Sequence, residues 1–280
     1  MSLRKVLDAL LLLIFWLSGL LIVAALLGML SYLLVRGGLG LTLDFIRLAP
    51  AGSPLGTAGG VYPAIKGTLY LIIIALITAS VPGIITAMYL TEYSKPSWRR
   101  DHIETLIQSM AGVPSIITGL FVYALFVVQM GWGISLLAGG IALGIMIFPV
   151  IVVSSRDAFL AVNIEYRLAA LALGVSPAYI FFKIILPQAW PGLLSGILLA
   201  MGYAGGATAP IMVTATVIAA PSSGSLFDPV MALPYHLYIL FNEHISLDHA
   251  YATALLLVII LLMINAMAMT AQHYSRKMRD

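Results

Sequence analysis

The chain has 280 residues, 61% of them hydrophobic and 9% charged, with a mean hydropathy of +1.06. That composition excludes a water-soluble globular domain and places most of the chain in a bilayer. Cysteine is absent, which excludes a disulfide framework, a thiolate nucleophile and a Cys-based metal site, and the net charge of +3 is spread as a topology signal rather than a nucleic-acid-binding patch.

A membrane helix needs roughly 20 apolar residues. Six stretches reach that length with no Asp, Glu, Lys or Arg in their middles: 10–34, 67–91, 106–128, 133–155, 191–219 and 250–270. Arg4 and Lys5 precede the first, but the run is too long for a signal peptide and lacks a small-x-small exit, so it reads as a retained helix. Segment 35–66 follows as an outer loop rich in Gly, Leu and Pro, with one short amphipathic turn at 43–48. Lys66, just before the second helix, reads as a snorkelling interface lysine, with anion capture as the alternative. The second and third stretches are joined by a charged loop, 92–104, in which His102 and Glu104 make a polar start to the third.

Pro82, Pro114, Pro149 and Pro210 fall inside stretches two to five, whereas the first and last have no interior proline. A membrane proline removes a backbone hydrogen bond and kinks its helix, which is tolerable where neighbours or a wet cavity satisfy the freed carbonyl. Helices two to five are therefore expected to form the working core.

Residues 156–190 form an elbow between the fourth and fifth stretches. Asn163 suits an N-cap, Glu165 the first turn, and Gly174 a C-terminal stop after the helix formers Ala169, Ala170 and Ala172. Ser176 then caps a second short helix that opens at Pro177 and ends before Leu186-Pro187, with a hinge at Val175 and Ser176. The alanines allow a partner surface to approach the backbone closely. The alternative is an amphipathic helix lying on the lipid headgroups.

In the fifth stretch Gly192 and Gly196, and Gly202, Gly205 and Gly206, are small-residue patterns that permit close helix approach. Read functionally, they expose backbone groups to a passing anion, with Thr208 and Ser115 adding hydroxyls. Glu243-His244-x3-Asp248-His249 offers metal-ligand chemistry, but histidines five apart do not match the spacing of a helical zinc motif, and the segment reads as a solvated external loop with no metal site. Arg4, Lys5, Lys95, Arg99, Arg100, Arg156, Arg167, Lys183, Arg276, Lys277 and Arg279 fall on one side, against Arg36, Arg47 and Lys66 on the other. By the positive-inside rule both termini and the elbow are cytoplasmic. No Gly-x4-Gly-Lys-[Ser/Thr] loop occurs, so the chain shows no phosphate-cradling nucleotide motif of that kind.

The run Leu168-Ala169-Ala170-x3-Gly174-x9-Ile184-x-Leu186-Pro187 resembles the coupling motif of bacterial ABC importer permeases. Together with 59-GGVYPAI-65 and 67-GTL-69, 111-AGVPSI-116 and 119-GLF-121, and 208-TAPI-211, it resembles the PstA-type permease family of phosphate importers. The resemblance implies an all-α integral membrane protein of six helices with the type I (MetI-like) importer permease fold and a cytoplasmic coupling helix. It divides the chain into an N-terminal helix and external loop, 1–66, and a permease core, 67–280. The implied partners are a second homologous permease, a cytoplasmic ATPase dimer, an external phosphate-binding protein and membrane lipid, with no nucleic acid. The chain itself is expected to be no enzyme and to bind no cofactor, the ATP being used by the partner. Coupling is expected at Leu168, Ala169, Ala170, Gly174, Leu186 and Pro187, and the pathway at Ser115, Tyr203, Gly206, Thr208 and Pro210.

Three positions depart from the family pattern, in two places. Leu168 stands where the motif has Glu, and Tyr203 and Ala207 stand where helix five usually carries Arg and Glu. Positions 203 and 207 are expected to share one helix face, so loss of both charges leaves neither unpaired. Permeases for other oxyanions, molybdate or sulfate, stay open as alternatives. A self-sufficient secondary transporter would need a buried ionisable residue, and the six helix middles have none.

Overall fold

The computed structural model describes residues 3–220 and 224–277. Five of the described helices are long and apolar enough to cross a membrane, and a bent pair brings the number to six if it is counted as one span. The first helix, α1 (Leu3–Gly38), touches the bundle near its end, where Gly37 meets the Tyr251 carbonyl and Tyr32 Oη lies 3.2 Å from Tyr251 Oη. Along the rest of α1, side chains such as Phe15 and Trp16 project outward. A short helix α2 (Leu43–Arg47), capped by Thr42, and the two-residue strands β1 (Pro50–Ala51) and β2 (Ala58–Gly59) fill the next loop, the helix falling where the amphipathic turn is expected.

The second crossing is α3 (Tyr62–Met88), which has Pro63 in its first turn, contains Pro82 and ends in a wide π turn, Tyr89–Tyr93. It packs along α6 (Leu136–Leu160), the most buried span. Small residues make that approach possible, since a Cβ on Gly140 or Gly144 would collide with Ile74 or Thr78. In the centre, Leu71, Ala75, Leu143, Ile147 and Ile211 form an apolar core, closed on the third side by α9 (Leu186–Gly206).

Two of the six expected spans are laid out differently. The third is not a continuous helix with Pro114 inside. It is α4 (Trp98–Ala111) and α5 (Ser115–Val122, prolonged by a π turn to Gln129), bent by 101°. Pro114 stands in the break as the extended residue before α5 (φ −56°, ψ 134°), because its ring and missing N–H cannot continue α4. The fifth span does not run 191–219. The chain is helical from Pro177 to Gly206, so the expected second short helix of the elbow is the foot of this span. A π turn at Phe181–Ile185 widens the helix ahead of Pro187, whose ring would otherwise meet the carbonyl four residues back. After Gly206 the chain breaks at Ala207 (ψ 123°) and restarts as α10 (Ala209–Thr214), with Pro210 in its first turn rather than inside the long helix.

The segment between the fifth and sixth expected stretches is also partly helical, holding α11 (Leu233–Asn242), and α12 (Leu247–Lys277) begins within it, so Asp248 and His249 belong to a helix rather than a solvated loop. Thr68 Oγ1 of α3 accepts the buried Leu233 N–H at 2.8 Å and donates to the Ala64 carbonyl at 2.8 Å, fixing the start of α11 against the second crossing.

Candidate functional site

At one end of the bundle the fourth and fifth crossings are joined by an elbow. Asn163 Oδ1 accepts the Glu165 N–H at 3.0 Å and opens α7 (Ile164–Ala172). The helix stops in a left-handed turn, with Gly174 at φ +73°. Gly174 N–H donates to the Leu171 carbonyl (2.9 Å) and Val175 N–H to the Ala170 carbonyl (3.2 Å), the paired bonds of a Schellman motif. Ser176 Oγ then accepts from Tyr179 N–H at 3.4 Å and Pro177 starts α8 (Pro177–Ile180). The three caps expected from sequence thus all form.

The elbow has an inner and an outer side. Ala170 is buried with Ile180, Phe181, Ile185, Phe159 and Leu90, the rings of Phe159 and Phe181 meeting edge-on at 5.2 Å. Leu168, Ala169, Leu171, Leu173 and Gly174 lie outside, and Leu173 is 82% exposed. Of the six expected coupling residues, Leu168, Ala169 and Gly174 are therefore on the free surface. Ala170 seats the helix, and Leu186 and Pro187 are half-buried at the foot of α9.

Charge ties the elbow to its surroundings. Arg167 Nη2 lies 3.0 Å from Glu92 Oε1 and donates to the Phe159 carbonyl at 2.7 Å. Nearby, Glu104 pairs with Arg100 at 3.0 Å and Arg156 at 3.6 Å, linking α4 to α6. Arg167–Glu92 and Arg156–Glu104 join segments remote in the chain, whereas Arg100–Glu104 is an i, i+4 pair within α4.

Along the bundle, shallow clefts open on one side. One of about 490 Å³ is lined by Ala111, Met146, Pro149, Ser154, Leu199 and Tyr203. Two others, of about 240 and 290 Å³, lie against Met110, Ile117, Thr118 and Phe121, and against Thr78, Ile141 and Phe148. No charged side chain lines any of the three. Tyr203 is 58% exposed. Ala207 lies beyond the end of α9 in extended backbone and packs on the central core, so it does not share a helix face with Tyr203, and the i, i+4 pairing expected for these two positions does not apply. Ser115 and Thr208 are half-buried at the starts of α5 and α10. Those two short helices cross where Gly119 lies against the Pro210 backbone, so closely that a Cβ on Gly119 would meet Pro210 Cα at 2.7 Å. The glycines of α9 divide as their surroundings differ: Gly192 and Gly196 pack on Ala158 and Ser154, whereas Gly202 and Gly206 face open space.

At the opposite end, His249 Nδ1 lies 2.7 Å from the Gly56 carbonyl and the neighbouring His236 is buried. Burial and the nearby His249 lower the His236 imidazole from 6.5 to about 4. Lys66 Nζ sits 5.5 Å from the Tyr62 ring centroid.

Comparison with known proteins places this geometry. A family described as binding-protein-dependent transport system inner membrane component matches residues 79–279. The phosphate transport system permease protein PstA 2 of Mycobacterium bovis is 34% identical over 228 residues, covering 80% of this chain and 75% of that protein. PstA of Mycobacterium leprae is 34% identical over 257 residues, covering 90% and 84%. Among solved structures, an inward-facing MetNI methionine ABC transporter superposes with a TM-score of 0.62 at 18% identity, covering 76% of this chain and 94% of that one. A bacterial ABC transporter that imports alginate superposes at 0.58 and 17%, covering 94% and 97%.

Proposed function

Because the chain belongs to the family of binding-protein-dependent transport system inner membrane components, we propose that it is the permease subunit forming half of the translocation pathway of an ATP-driven importer of inorganic phosphate. The substrate rests on the phosphate permeases that the chain resembles over most of its length. The observation that carries the coupling role is the elbow: a capped helix with a buried inner face and an apolar outer edge of Leu168, Ala169, Leu171 and Leu173 available to a partner.

In this reading the elbow and both termini face the cytoplasm, in keeping with the bias of Lys and Arg. The outer edge docks on an ATPase dimer that binds and hydrolyses ATP, and this chain holds no cofactor of its own. A second, homologous permease completes the pathway, and an external phosphate-binding protein delivers the anion. When ATP draws the two ATPase subunits together, Leu168, Ala169 and Gly174 move with them, and the Leu186-Pro187 foot carries the motion into α9. The pathway runs past Tyr203 and Gly206 toward Ser115, Thr208 and Pro210, where α5 and α10 both begin. With no cation lining the three clefts described above, hydroxyls and oriented backbone groups lower the barrier to the anion, and a charge from the second permease supplies the rest.

Reconstituted complex tests the proposal. ATP-dependent uptake of labelled phosphate, not competed by sulfate or molybdate, is the expected result. Stimulation of ATP turnover and uptake by one of the other oxyanions, with phosphate inert, overturns the substrate. Uptake by the lone chain without ATPase overturns the class.

A further inference from the structure

We propose that Arg167 and Glu92 are the directional link through which displacement of the elbow reaches the second membrane crossing. The role rests on the elbow acting as a lever, as proposed above. Arg167 lies in the middle of α7, one residue before the outward-facing Leu168. Its guanidinium meets Glu92, in the π turn that ends the second crossing, and donates to the Phe159 carbonyl in the last turn of α6. One side chain thus joins the elbow to the ends of two membrane helices.

The pair is far less exposed than the other charges at this end. The side chains of Arg167 and Glu92 are 15% and 14% exposed, against 24–35% for the Glu104 pairs. Charges held this far from water are weakly screened, and separating them leaves each uncompensated. The surrounding contacts of Leu90, Ala170, Ile180 and Phe181 are apolar and non-directional, so they tolerate sliding. The ion pair does not. If α7 moves, Tyr89–Tyr93 must follow or two buried charges must part.

A second observation leaves room for a tighter arrangement of the pair. Although Nη2 and Oε1 are 3.0 Å apart, Glu92 Oε1 and Arg167 Nε are both buried without a well-aligned hydrogen-bond partner. Distance is met and direction is not. A guanidinium and a carboxylate bond most strongly when coplanar, through two parallel N–H···O contacts. A rotation of α7 relative to the second crossing brings Nε and Nη2 into that fork, so this conformation holds the looser pairing and a displaced elbow holds the tighter one. The difference between them biases the equilibrium between two elbow positions. Leu168 cannot supply such a charge, so in this chain the polar transmission runs through the inner face of α7.

The test uses the complete reconstituted complex and three variants: Arg167→Met, Glu92→Gln and the double variant. Each single change strands a buried charge and can impair assembly, whereas the double change removes both charges and restores electrostatic balance. The expected result is a double variant that assembles with its ATPase and hydrolyses ATP, yet takes up at least tenfold less substrate per ATP than the parent. Recovery of the parent ratio in the double variant means that the pair only supports folding, and overturns the link. A second readout needs no substrate. The chain has no native cysteine, so spin labels at Leu173→Cys and Tyr93→Cys report the distance between elbow and second crossing. With the pair intact the distribution is narrow and shifts as one population on ATP binding, and in the double variant it broadens. An unchanged distribution overturns the link even if uptake falls. If the parent complex takes up no oxyanion, the importer reading fails on its own, and the label distances still decide the link.

Discussion

Gly174 allows a prediction to be worked from geometry. Its φ is +73°, and a Cβ added there meets nothing within 4 Å, so Gly174→Ala introduces no clash and costs only the left-handed backbone, about 1–2 kcal/mol. Escaping that strain by a right-handed turn forfeits the two Schellman bonds, at 2.9 and 3.2 Å, worth roughly 0.5–1.5 kcal/mol each. The routes cost about the same, so either way the alanine variant loses on the order of 1–2 kcal/mol locally, a five- to thirty-fold smaller ratio of formed to open elbow. Gly174→Asn, which tolerates the left-handed region, loses less. Gly174→Leu bears the same strain and adds a branched side chain to the outer edge beside Leu173. Phosphate taken up per ATP hydrolysed, measured in proteoliposomes, is therefore expected to fall in the order Gly, Asn, Ala, Leu, with membrane insertion unchanged. Equal ratios across the series, or normal transport in the leucine variant, refute the reasoning.

Gly119→Val is expected to push α5 off α10, because the new Cβ meets the Pro210 backbone at 2.7–2.8 Å. Overpacking of this kind costs about 1–3 kcal/mol, read as a lower midpoint of thermal unfolding, while Gly202→Ala, in open space within α9, does not lower the midpoint. Thr68→Val keeps the shape of the side chain but strands the buried Leu233 N–H, a loss of about 1–3 kcal/mol that also appears in the midpoint. His236 stays neutral in the folded chain down to about pH 4, whereas an unfolded histidine takes up a proton near 6.5. Stability is therefore full above about 6.5 and is lost as pH falls toward 4, by up to about 3 kcal/mol. His236→Phe is expected to flatten the midpoint between pH 7.5 and 5.

Much of the fold was legible because the information is local. The runs that became α1, α3, α6 and α12 are long and uncharged, and lipid leaves such a run no alternative to a helix. The elbow was legible for the same reason: Asn163, Gly174 and Ser176 each act on backbone groups within four residues. Hydropathy fails where direction changes. Met110, Val113 and Ile117 are all apolar, and nothing in that property says that the chain turns by 101° between them. Likewise the apolar run 191–219 hid the break at Ala207, while the helical signal at Pro177 was read as a separate short helix instead of the foot of a span. Helix α11 was missed because Ala232 gives it no polar cap. The contact of Arg167 with Glu92 joins segments far apart in the chain, beyond any window of periodicity, and the wide space around Tyr203 depends on packing alone.

The central claim is that a separate ATPase drives this bundle through the outer edge of α7, and cross-linking reads it most directly. With Leu168→Cys as the sole thiol in the chain, a photoactivated thiol reagent in native membranes is predicted to yield an adduct with the ATPase subunit, altered by ATP and accompanied by loss of phosphate uptake. Adducts with lipid alone, in every nucleotide state, contradict the account.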